Sequence, residues 1–169
     1  MEILIPYTPS ERQLELLTSP ARFKVAVWGR RSGKSTFAIN EAIKVCLEKP
    51  NAKVWVVAPT FNQAKDIYWR GGDMLNKYLL KEMYKRKNDS ELLVEFKNGS
   101  ILQFKGADRP DVMRGSGLDL VILDEISEHR YAQQAWEEIL LPALSDRNGK
   151  AIFIGTPIVT GKQIGRAHV

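Results

Sequence analysis

Two groups of residues in this sequence have the types and the order that phosphoryl chemistry needs. Lys34 and Ser35 follow Gly33 at the end of a small basic turn, Gly29-Arg30-Arg31-Ser32, and Thr36 comes next. Far downstream, Asp124 and Glu125 stand side by side at the end of an apolar run. Consecutive backbone N–H groups at a helix start converge on one spot, and the helix dipole favours an anion there. Lys34 would reach the β and γ phosphates of a nucleotide, and the Ser35 hydroxyl would complete the coordination of Mg²⁺. Asp124 would hold that Mg²⁺ through water, and Glu125 would polarise the attacking water.

These residues need a strand, a turn and a helix to hold them. Val25 to Trp28 read as a short apolar strand, and a helix runs on through Phe37, Ala38, Ile39, Ala42, Ile43 and Val45. That context marks a phosphate-binding loop rather than a plain turn containing Gly-Lys-Ser. The usual pattern, G-x-x-x-x-G-K-S/T, puts its first glycine at position 28; here Trp28 stands there and the glycine is Gly29. Leu118 to Leu123 form the buried strand that delivers the two acids.

The intervening chain reads as further α/β elements. Lys53 to Ala58 is apolar without alternation, as a parallel strand covered on both faces requires. From Asn62, the residues Ala64, Ile67, Tyr68, Met74, Leu75, Tyr78 and Leu79 keep helical spacing, interrupted at Gly71-Gly72, and Lys77 to Lys87 form a basic end to that stretch. Leu92–Phe96 and Ser100–Phe104, joined through Asn98-Gly99, spell an antiparallel hairpin. Gly106 to Gly117 is a polar loop carrying Arg109 and Arg114. Ala132, Ala135, Trp136, Ile139 and Leu140 make an amphipathic helix stopped by Pro142, and Lys150 to Ile154 is a last core strand. It ends at Gly155-Thr156-Pro157, where the Thr156 hydroxyl could sense a γ-phosphate or simply belong to a turn.

Near the start, Tyr7-Thr8-Pro9-Ser10 precedes a short helix that Ser10 or Thr8 could cap, with Leu14, Leu16 and Leu17 packing it inward. Tyr7 could stack on a base and Gln13 could read an adenine edge, or the two could be an exposed aromatic and an ordinary cap.

Composition limits the alternatives. The chain has 169 residues, enough for one domain with a real core, and 44% are hydrophobic. Its one cysteine, Cys46, lies on an apolar helix face, so a disulfide framework is ruled out and a reducing cytoplasm suits it. No apolar run approaches the roughly 20 residues that span a bilayer, and the N-terminus does not read as a signal peptide. A net charge of +5 fits a polyanionic partner, nucleotide or nucleic acid.

With these residues in place, the chain resembles the ATPase domain of the large terminase subunit, the genome-packaging motor of tailed bacteriophages. The likeness runs over most of Ile5 to Pro157; its most specific parts are GRRSGKS at Gly29–Ser35 and MRGSGLDLVILDE at Met113–Glu125. The family's adenine motif resembles Tyr7 to Gln13, its coupling motif Gly155-Thr156-Pro157, and Ala58-Pro59-Thr60 a helicase-like segment. A displaced first glycine is usual in that family.

The resemblance implies an α/β P-loop NTPase of the ASCE type, a mainly parallel sheet with helices on both faces and an antiparallel hairpin. It implies ATP and Mg²⁺ as cofactors, with Gly29 to Thr36, Tyr7 and Gln13 binding ATP, and Ser35 and Asp124 serving the metal. Lys34 and Glu125 become catalytic, Arg114 matches an arginine acting on a neighbouring subunit's nucleotide, and Arg30 or Arg31 offers a second charge at the γ-phosphate. Thr156 takes the coupling role. The partners implied are double-stranded DNA, a portal protein, a small terminase subunit and other copies in a ring, in the host cytoplasm and away from membranes. The family's nuclease would follow the motor, and nothing after Pro157 supplies its acidic cluster. Gln163 to Val169, written back as codons, resemble read-through of a sequencing adapter, so a motor domain over 1–162, incomplete at its C-terminus, is expected. The rival readings are a helicase-like ATPase and a nucleotide-regulated binding protein that does not turn over.

Overall fold

The computed structural model describes residues 6–70, 74–115, 117–125 and 132–157. Its centre is a seven-stranded sheet in the order β1-β7-β6-β2-β5-β4-β3. The strands are β1 (Phe23–Val27), β2 (Lys53–Ala58), β3 (Tyr84–Asn88), β4 (Leu93–Phe96), β5 (Ile101–Gly106), β6 (Leu120–Leu123) and β7 (Lys150–Gly155). The pairs from β1 through β5 are parallel, and β4 and β3 add an antiparallel ribbon at one edge. Gly99, at φ 84, takes the positive-φ turn between β4 and β5. β7 lies between β1 and β6, so the strand feeding the phosphate loop and the strand ending in the acids both flank Thr156.

Two apolar layers cover the sheet. On one face Val54, Val56, Leu102, Phe104, Leu120 and Ile122 pack with α2 (Lys34–Glu48), α3 (Phe61–Ala64) and α4 (Met74–Tyr78). On the other, Trp55, Val57, Val121, Leu123 and Ala151 meet Ile139, Leu140 and Leu144. Cys46 is fully buried in the first layer, and burial pushes its thiol far above the ordinary range, as packing rather than chemistry requires. Among the described residues no helix is long and apolar enough to cross a membrane.

Several expectations are corrected. In α1 (Glu11–Thr18), Leu14 is half exposed, because Gln13, Leu16 and Leu17 occupy the inward face. The basic stretch after Leu79 is not the end of a helix throughout: Tyr84–Asn88 is an edge strand, whose Lys85, Arg86 and Lys87 keep a free sheet edge charged. Pro142 does not stop the second helical region. A π-helical stretch, Trp136–Leu140, hands over to α6 (Leu141–Ser145), and the helical backbone runs on through Pro142. α5 (Ala132–Ala135) precedes this stretch. The polar loop contains a 3₁₀ turn, Pro110–Met113, anchored by fully buried Met113. The Gly71-Gly72 pair and the 163–169 segment lie outside the described residues.

Candidate nucleotide site

The site is assembled where β1, β7 and β6 end together. Trp28 N–H donates to Gly155 O at 3.0 Å, which fastens the start of the loop to the end of β7. The Trp28 ring stands edge-on to Phe37 of α2, with centroids 5.3 Å apart. This gives the displaced glycine a physical account. The left-handed conformations in the loop fall on Arg31, φ 59, and Gly33, φ 79, so position 28 needs no glycine and is free to carry a packing residue.

Gly33 is the N-cap of α2, and no side chain caps that terminus. The first-turn N–H groups are therefore left for an anion. A cavity of about 310 Å³ opens there, lined by Arg30, Arg31, Ser32, Gly33, Lys34, Ser35, Thr36, Met74 and Glu125. Lys34 is buried; its Nζ donates to the carbonyls of Gly29 at 2.8 Å and Trp28 at 3.1 Å, and lies 3.9 Å from Glu125 Oε1.

The two acids differ sharply. Asp124 is 2% exposed; its Oδ1 accepts from Glu125 N–H at 3.0 Å and its Oδ2 accepts from the Tyr68 hydroxyl. Burial raises its pKa above the usual carboxylate range, against the opposing pull of the Tyr68 hydrogen bond. Glu125 is half-buried at the rim, held at φ 51, and accepts at Oε1 from Thr156 Oγ1 at 2.8 Å. A non-glycine residue in the left-handed region costs roughly 1–2 kcal/mol, a strain typical of functional positions. Ser35, Asp124 and Glu125 offer only hard oxygen donors, which suits Mg²⁺. Among the described residues no group of three or more His, Cys, Asp or Glu could hold a metal.

Tyr7 and Gln13 meet behind the loop. Ser10 caps α1 in a capping box with Gln13, whose Oε1 accepts from Ser10 N–H at 2.9 Å and from the Tyr7 hydroxyl at 3.1 Å. Gln13 Nε2 donates to Gly33 O at 3.2 Å, so this pair ties α1 to the phosphate loop. Burial, reinforced by Glu41 and Tyr78, pushes the Tyr7 pKa to about 12. A larger cavity of about 450 Å³ between α1 and β1 contains none of the loop from Gly29 to Thr36 and carries no triphosphate chemistry.

Arg114 does not join its own subunit's cavity. It is exposed, 3.8 Å from Glu138 Oε2, and lines a separate cavity with Asp108, Asp111 and Gln134. Tyr68 was readable in the sequence only as an inward helical residue. Its contact with Asp124 depends on a π-helical stretch, Lys65–Arg70, that follows α3.

Comparison with known proteins gives a consistent result. A family model described as "Terminase large subunit, T4likevirus-type, N-terminal" matches residues 25–157. The chain is 35% identical over 170 residues to the terminase large subunit of Thermus phage G20c, covering 91% of this chain and 35% of that protein. It thus spans about a third of the length of the curated relatives it matches. Among solved structures, a mutant of the large terminase ATPase domain of Thermus phage P74-26 superposes with a TM-score of 0.77 at 32% identity, over 91% of this chain and 67% of that one. The large terminase of another thermophilic bacteriophage, solved with ATP-gamma-S, shares the fold: TM-score 0.64, 16% identity, over 86% of this chain and 37% of that one.

Proposed function

The chain belongs to the family of terminase large subunit N-terminal domains, and from that premise we propose that it hydrolyses ATP to drive double-stranded DNA into a procapsid. One observation carries the catalytic half of this reading: Lys34 and Glu125, from motifs far apart in sequence, face each other 3.9 Å apart across one cavity. The open N–H groups at the start of α2 receive the phosphates, and Lys34 exchanges its carbonyl partners for phosphate oxygens. Arg30 or Arg31, both lining the cavity, adds a second charge at the γ end. Ser35 and, through water, Asp124 would hold Mg²⁺, which when bound would neutralise charge on the β and γ phosphates. Glu125 orients the attacking water and takes its proton, with Thr156 fixing the carboxylate. Tyr7 and Gln13 border the adenine; the Gln13 amide nitrogen has a second N–H beyond the one bound to Gly33.

Arg114 acts on the nucleotide of a neighbouring copy, a reading supported by its exposure and its place outside its own cavity. Double-stranded DNA, a portal protein and a small terminase subunit are the partners, in the host cytoplasm. We assign residues 1–162 to the motor and place the nuclease in the longer protein. The test is steady-state phosphate release by the full-length protein. Lys34→Ala should abolish turnover and weaken triphosphate binding, and undiminished hydrolysis would refute the phosphate-loop assignment.

A further inference from the structure

We propose that Tyr68 is a positioning residue for the metal, its buried hydroxyl holding Asp124 in the orientation that receives the divalent cation. This rests on the reading of Ser35 and Asp124 as the metal's residues. The hydroxyl of Tyr68 donates to Asp124 Oδ2. The π-helical stretch Lys65–Arg70 thus holds the proposed metal carboxylate that follows β6.

The ring explains how the hydroxyl stays there. Tyr68 is fully buried and stacked on Phe104 of β5, centroids 5.3 Å apart and planes 24° apart. Phenylalanine would serve that packing equally. A phenol buried this deeply costs about 1–3 kcal/mol unless its hydrogen bonds are made, so core packing alone does not explain the hydroxyl. Asp124 is clamped at both oxygens, by Glu125 N–H at one and by Tyr68 at the other, which fixes the plane of the carboxylate. A carboxylate oxygen carries more than one lone pair, so an accepted hydrogen bond is compatible with a metal-bound water at the same group. Outer partners of this kind set the orientation of metal-binding groups, and their loss typically weakens metal affinity about 10- to 100-fold.

The experiment uses full-length protein and Mn²⁺ as the probe, titrated at saturating ATPγS and followed by electron paramagnetic resonance. Tyr68→Phe should weaken Mn²⁺ affinity at least roughly tenfold. Metal-free ATPγS binding should stay near wild type, because the ring remains. In an Asp124→Asn background, Tyr68→Phe should add little, since the hydroxyl acts through that carboxylate. Unchanged or tighter Mn²⁺ affinity would overturn the proposal. So would an equal loss of metal-free ATPγS binding, or full additivity with Asp124→Asn. Wild-type protein with no Mn²⁺-dependent ATPγS binding would instead sink the underlying ATPase reading.

Discussion

Thr156 Oγ1 donates a 2.8 Å hydrogen bond to Glu125 Oε1, joining the end of β7 to the acid that follows β6. Thr156, left by the sequence between a γ-phosphate sensor and a plain turn residue, therefore touches the proposed base itself.

Thr156→Val removes the donor and keeps the shape. A hydrogen bond to a charged group is worth about 1.5–3 kcal/mol, which corresponds to roughly 10- to 100-fold in rate if expressed fully in the transition state. The expected outcome is kcat lowered by about that range with ATP affinity almost unchanged. Thr156→Ser should recover most of it. Pre-steady-state phosphate release separates the two quantities, and a loss confined to KM would show that Thr156 serves binding alone.

Arg114 offers a test between subunits. Arg114→Ala should bind ATP normally and hydrolyse it poorly, with a loss of up to about 10³–10⁵. Glu125→Gln should bind ATP and not turn over. Mixed rings of the two should regain activity, because a subunit with intact Glu125 can then receive Arg114 from a Glu125→Gln neighbour. Co-assembly without recovery would place Arg114 in cis or outside the chemistry.

Much of this site was legible because its chemistry lies in contiguous residues. Gly33-Lys34-Ser35 and Asp124-Glu125 each occupy adjacent positions where an element starts or ends, and strand and helix patterns located those ends. Tyr68 was not legible as a partner of Asp124, because fifty-six positions separate them and a π turn decides where the hydroxyl points. β3 was hidden for another reason: an edge strand has no apolar face to maintain at Lys85, Arg86 and Lys87, so its charges read as a solvated helix end. Leu14 misled because Gln13, a polar residue, holds the inward position that an apolar one would mark.

Gly33 should be the least replaceable glycine of the loop. Its φ is 79°, and an added Cβ would stand 3.0 Å from Gln13 Nε2, whereas one at Gly29 meets nothing within 4 Å. Gly33→Ala should cost about 1–2 kcal/mol from the left-handed backbone, or a melting temperature lower by roughly 2–8 °C. ATP binding should weaken with it as Gln13 is displaced. Calorimetry and nucleotide titration of Gly29→Ala beside Gly33→Ala check the contrast, and equal effects would contradict it.

DNA binding should be dominated by phosphate contacts, since the chain is basic and a motor must pass any sequence. Affinity for duplex DNA should fall by orders of magnitude from about 50 to 200 mM salt, with little change between sequences. Fluorescence anisotropy on two unrelated duplexes measures both. A salt-insensitive, sequence-selective affinity would count against translocation.

The π-helical stretch at Lys65–Arg70 gives this chain an unusual tolerance to a missing residue. Such a stretch carries one residue more than the α-turn it interrupts, so deleting Ile67 would let it close as regular helix instead of breaking it. The deletion would rotate the downstream part of the helix by about 100° relative to the upstream part. A chain shortened in this way would keep its hydrogen-bonded helix and lose the alignment of Tyr68 with Asp124, a case in which an indel edits chemistry while sparing architecture.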